Sequence, residues 1–115
     1  MNISPANLFA LLSHDTRLRS VMLLMAVDEL CVCEFTAVFG AAQPHVSRHL
    51  EQLREAGLLR DRRGGQWIYY RLNPELPSWA RDILDAVESG MRDQRPFVDD
   101  RAFIADSMDR RACGE

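Results

Sequence analysis

The chain has 115 residues, among them 14 arginines, no lysine and 17 acidic residues, for a net charge of −3 at neutral pH. That length gives room for one compact domain, and a hydrophobic content of 47% excludes wholesale disorder. The longest apolar run, Val21 to Val27, spans seven residues, far below the roughly 20 that a membrane-crossing helix needs.

In chain order, Ser4-Pro5 reads as an N-cap followed by proline in the first helical turn, opening a short helix with Leu8, Leu11 and Leu12 inward. Ser13 is expected to cap a second helix to about Ala26, burying Leu18, Val21, Met22 and Met25 while Arg17 and Arg19 project elsewhere. A third helix is predicted from about Val32 to Phe39, stopped by Gly40, and a fourth from Gln43-Pro44 to Ala56-Gly57. The period then changes. Leu58–Arg62 and Gln66–Leu72 read as strands joined through Gly64-Gly65, closed by Asn73-Pro74 and Pro77. A long helix over Ser78–Met91 is expected to bury Trp79, Ile83, Leu84 and Val87. Residues 1–92 would form the folded unit and 93–115 a polar tail with a weak helix around Phe103–Met108. Four helices, a β-hairpin and a final helix follow the order of a winged helix-turn-helix, a mainly α fold.

The fourth helix has two faces. Val46, Leu50 and Leu53 are spaced to enter the core, whereas Gln43, His45, Ser47, Arg48, His49 and Gln52 offer donors and acceptors suited to base edges and phosphates. At the hairpin tip, Arg62 and Arg63 precede a thin Gly64-Gly65 backbone that would approach phosphates or a minor groove. The overall negative charge argues against a nucleic-acid ligand, but its distribution does not. Six arginines and three acids lie between Gln43 and Leu72, and the acidic balance falls after Asp82. Screening keeps such a basic patch effective on an acidic body. Duplex DNA is therefore the expected partner. No Arg or Lys occurs in the first sixteen residues, so no signal peptide and no membrane partner are expected, and the location is expected to be cytoplasmic. Three cysteines, an odd number, agree with reduced thiols.

Four stretches carry a family likeness: Leu11 to Arg19, Gln43 to Leu50, Leu53 to Leu58 and Trp67 to Leu72. Over residues 6 to 92, in unbroken order, the chain resembles the ArsR family of winged-helix repressors. The resemblance implies a homodimer held by the first and last helices, a palindromic operator, and repression relieved by an inducer. Glu29-Leu30-Cys31-Val32-Cys33-Glu34 is similar to the thiol-rich motif of that family's arsenic- and antimony-responsive branch. Trivalent arsenic or antimony, a soft centre, would take two or three thiolates, and a helix N-terminus is expected to favour the thiolate form. Some relatives carry a third cysteine where Thr36 stands. A two-thiol site with a small exogenous ligand as third donor is one option; otherwise Cys113 is the third metal ligand, from its own or the partner chain, or an incidental tail thiol.

In a helix, residues two apart point roughly 200° from each other, so Cys31 and Cys33 could not chelate one atom while both were helical. Inducer binding is therefore expected to open the start of the third helix. The histidines are His14, His45 and His49, and none follows residue 49, which disfavours the family's zinc branch with its ligands on the last helix, and the absence of cysteine before Cys31 disfavours the cadmium and lead branch. Sensing of cadmium or lead, or of thiol oxidation, is the alternative. Enzyme activity is not expected, because Cys-x-Cys lacks the usual redox spacing and no base stands beside it.

Overall fold

A computed structural model describes residues 3–110. Helix α1 (Pro5–Leu12) begins where the Ser4 hydroxyl accepts from the Asn7 amide at 3.1 Å, and it buries Leu8 fully. Helix α2 (Asp15–Ala26) is capped by His14 rather than Ser13: the imidazole Nδ1 accepts from the Thr16 amide at 3.2 Å. Ser13 instead closes α1, its hydroxyl donating to the Ala10 carbonyl at 2.7 Å.

The next segment departs from the sequence expectation. Leu30–Cys31 form a short strand, β1, which pairs antiparallel with a later strand before helix α3 (Val32–Phe39) begins. Gly40, at φ +60°, ends α3 in the left-handed conformation that lacks a Cβ penalty. Ala41 and Ala42 make the turn into helix α4 (Gln43–Glu55). Strands β2 (Leu59–Gly64) and β3 (Trp67–Leu72) then form the wing, with Gly65 and Gln66 at its tip and Gly65 at φ +63°. The sheet order is β1-β3-β2, so β3 is central, with Tyr69 opposite both Cys31 and Arg62.

Helix α5 (Ser78–Met91) buries Ala80 and Leu84, but Trp79 is 36% exposed rather than buried. Ile83 and Val87 are half-buried against the core. The chain then continues as helix α6 (Phe97–Arg110), which packs on α2 and α3 where a polar tail with a weak helix was expected. Its Ile104 is fully enclosed, and Asp100 accepts a two-pronged pair from Arg19 at 2.7 and 2.8 Å. Helix α6 therefore shares the core of residues 3–92. Among the described residues, no helix is long and apolar enough to cross a membrane.

Candidate functional site: a DNA-reading surface and a thiol pair

Helix α4 follows the expected division on its inner side. Val46, Leu50 and Leu53 are fully buried, which fixes the opposite side outward. Gln43, Arg48 and Gln52 are exposed, and His45 and Ser47 are half-buried. Ala42 caps the helix without a side-chain hydrogen bond, so the first-turn amides point out of the helix end where a phosphate oxygen could accept them.

His49 is a correction. It was expected on the outer face with the other residues read as DNA contacts, but it is only 7% exposed. Its ring lies 4.1 Å from that of His14 and 4.6 Å from that of His45, centroid to centroid. Position 49 falls on the border between the two faces of α4, and α2 closes over it. Arg17 can only donate, so its 3.2 Å contact from Nη1 to His49 Nδ1 makes that nitrogen an acceptor. Burial, then His14, His45 and Arg17, push His49 below its ordinary value of 6.5.

The two wing arginines separate. Arg63 is exposed at the tip end of β2. Arg62 is exposed as well, its side chain at 54%, but it has partners in the fold: Nε and Nη2 donate to the Glu29 carboxylate at 2.8 and 2.7 Å, and the guanidinium lies 4.3 Å from the Tyr69 ring centre. Arg62 thus ties the wing to the residue just before β1, a role its charge alone did not indicate.

The thiols are closer than helical geometry suggested. Cys31 is the N-cap of α3, with extended backbone (φ −85°, ψ 162°), because β1 pairs it with Tyr69. Cys33 lies in the first turn. The two Sγ atoms are 2.7 Å apart while α3 is intact. The expectation that gathering both sulfurs must open this helix is therefore corrected: an extended cap residue aims its side chain back over the first turn. Glu34 completes the arrangement, its Oε1 accepting from the Cys31 amide at 2.8 Å. The expected thiolate bias is not seen at Cys31. Burial pushes its thiol up, and the Glu34 carboxylate adds to this against the amide donors of Glu34 and Cys33.

Cys31 is buried, whereas Cys33 opens on a cleft of about 290 Å³ between α3, α4 and the wing. Thr36, Gln43, Ser47, Glu51, Gln66 and Trp67 also line it. One cavity thus adjoins the thiol pair, the reading helix and the wing tip. Thr36 Oγ1 donates to the Cys33 carbonyl at 2.7 Å. Among the described residues, no set of three His, Cys, Asp or Glu side chains is arranged to hold a metal ion. Cys113 lies outside the described residues. Sequence reasoning missed Arg17, Glu29 and Tyr69, whose roles depend on partners 32 or more residues away (Arg17 with His49 and Gln52, Glu29 with Arg62, Tyr69 with Cys31).

Residues 14–61 match the family described as bacterial regulatory protein, arsR family. Over 109 residues the chain is 45% identical to the arsenic resistance transcriptional regulator ArsR2 of Pseudomonas putida, a span covering 95% of this chain and 92% of that protein. It is 49% identical over 81 residues to the arsenical resistance operon repressor of Escherichia coli, covering 70% of this chain and 69% of that one. Among solved structures, the AntR antimony-specific transcriptional repressor aligns with a TM-score of 0.62 at 28% identity, covering 80% of this chain and 86% of that chain.

Proposed function

This chain belongs to the ArsR family of bacterial regulatory proteins, and on that footing we propose that it is a repressor released from duplex operator DNA when trivalent arsenic or antimony binds Cys31 and Cys33. The observation that carries the reading is the 2.7 Å separation of the two sulfurs on an intact helix. Two soft donors already gathered lose little freedom on taking up one thiophilic atom. Cys31 and Cys33 would hold it, with a small exogenous ligand or Cys113 as the third donor. The group would supply strong, directional bonds to sulfur in place of the contacts that now form the α3 cap.

Release follows from the position of the pair rather than from unfolding of α3. Cys33 shares its cleft with Gln43 and Ser47 on α4 and with Gln66 and Trp67 at the wing tip. A ligand that alters the first turn of α3 acts on the spacing between reading helix and wing. The two sites are then reciprocally linked.

On the DNA side, Gln43, His45, Ser47 and Arg48 would meet the major groove and Arg63 a phosphate, in the cytoplasm. A homodimer is the working unit. Large apolar side chains stay exposed on α1 (Phe9, 56%) and α5 (Trp79, 36%; Met91, 41%), as a second copy would need.

The test is release of a fluorescent operator duplex by arsenite under reducing conditions, read by anisotropy. The Cys31→Ser, Cys33→Ser double variant should bind the duplex and stay bound. It should also lose the near-ultraviolet absorption of arsenic–sulfur bonds. Release of that variant at the wild-type arsenite concentration overturns the assignment.

A further inference from the structure

Three imidazoles and one guanidinium meet where α2 crosses α4. His14 heads α2, His45 and His49 lie one turn apart on α4, and Thr16 Oγ1 is 3.5 Å from His45 Nε2. Arg17, on α2, reaches two other helices from this point. Its Nε donates to the Leu11 carbonyl at 2.7 Å and its Nη2 to the Ala10 carbonyl at 3.3 Å. Both acceptors belong to the carbonyl end of α1, the negative pole of that helix. Nη1 turns the other way, to Gln52 Oε1 at 2.8 Å and His49 Nδ1 at 3.2 Å on α4. A planar fork of five donors can serve both directions at once, whereas an ammonium cannot hold this geometry.

We propose that Arg17 is a positioning residue for operator recognition: anchored on α1, it sets the seat of α4 through His49 and Gln52, and operator affinity falls when His49 takes a proton. The chemistry follows from donor counts. Neutral His49 accepts from Arg17, but an imidazolium has two N–H donors and no acceptor. Protonation would set that cation against Arg17, with His14 and His45 as the other titratable groups acting on it. The contact holding α4 to α1 would then become repulsive. Gln52 is on the same face and would retain a single hydrogen bond.

The direction of the pH effect is fixed by the same surroundings. His49 is held below 6.5 in the fold, so over the interval beneath that value the unfolded chain binds more protons than the folded one. The contribution of His49 to stability is therefore complete at higher pH, declines as pH falls from about 6.5, and changes no further once both states are protonated, while the seat of α4 is lost only as pH falls through the lower value that His49 has in the fold. The inference concerns DNA binding by the unliganded protein and does not require the thiol assignment.

The experiment uses a fluorescent duplex selected by the wild-type protein from a randomised pool, with affinity measured at constant salt from pH 7.5 to 5.5. Arg17→Ala should weaken binding about tenfold or more at pH 7.5, the scale of a lost charge-assisted hydrogen bond. Arg17→Lys should recover only a minor part of this loss. His49→Gln retains an acceptor for Arg17 but does not titrate. Scaled to its own value at pH 7.5, its profile should be flatter than that of the wild type, which should weaken toward pH 5.5 by less than the roughly tenfold that a group titrating at its ordinary value would give over this interval. Wild-type affinity in Arg17→Ala, or superimposable scaled profiles for His49→Gln and wild type, overturns the proposal. Should Arg17→Ala fail to fold by circular dichroism, the comparison of the two profiles decides alone.

Discussion

Replacing Arg19 by Met is the sharpest test of how the C-terminal helix is held. Arg19 on α2 meets Asp100 on α6 through two parallel hydrogen bonds of 2.7 and 2.8 Å, and its guanidinium also lies 4.7 Å from the Phe39 ring centre on α3. The Asp100 side chain is 6% exposed and that of Arg19 26%. An exposed ion pair contributes about 0–1 kcal/mol, whereas removing one partner of a fully buried pair costs about 3–5 kcal/mol, because the other charge is stranded. The buried end here is the carboxylate, and the exposed end is the residue removed. Met retains the apolar length of the stem, so the loss comes chiefly from stranding Asp100, at about 2–3 kcal/mol. At about 4 °C per kcal/mol for a chain of this size, the melting temperature should fall by roughly 8–12 °C. Urea unfolding of both proteins at the same protomer concentration holds the contribution from association constant. The Arg19→Met, Asp100→Leu double variant should recover most of the loss, since no buried charge is then left alone. A single variant within about 0.5 kcal/mol of wild type, or a double variant no more stable than the single one, would refute the assignment of α6 as an ion-pair-anchored part of the core.

The wing arginines should divide in a salt titration. Arg63→Ala should lower the slope of log affinity against log salt by about 1 for each phosphate that Arg63 neutralises, whereas Arg62→Ala should leave the slope and reduce thermal stability by about 1 kcal/mol through loss of Glu29 and Tyr69 as partners. Equal slope changes in both variants would contradict the division seen in the structure. Thr36→Cys places a third sulfur beside Cys33 in the cleft, and the arsenite concentration for half-release of operator should fall about tenfold or more, a gain of at least 1.4 kcal/mol. An unchanged half-release concentration would show that position 36 does not reach the bound atom.

Much of the architecture was legible because it is set locally. The Val46, Leu50, Leu53 spacing marks the inner face of α4, and Gly40 supplies the left-handed stop that the helix-turn-helix corner needs. The reading of Gln43 and Arg48 as outward-facing rests on the same period, and both are exposed. Local rules fail where a side chain's environment is made by another element. Helix α6 buries positions 100, 104 and 107, occupied by Asp, Ile and Ser, a stripe with a single apolar residue that reads as solvent-facing until Arg19 is brought to it. Trp79 shows the converse: its size suggests burial, yet no neighbour within the protomer covers it fully.

The amino-acid order by itself determined helices α1 to α5, the hairpin and the two cysteines as soft donors, because periodicity and ligand character belong to short stretches of chain. It could not determine that Cys31 would be extended. Two residues carry no period, and only the ladder to Tyr69 and Tyr70, far along the chain, holds Leu30–Cys31 as a strand. That long-range pairing turns Cys31 into a helix cap and brings its sulfur to Cys33 with the helix intact. The approach of His49 to Arg17 was likewise decided by the packing of α2 on α4, since which border residues of a helix are covered depends on the neighbour that arrives.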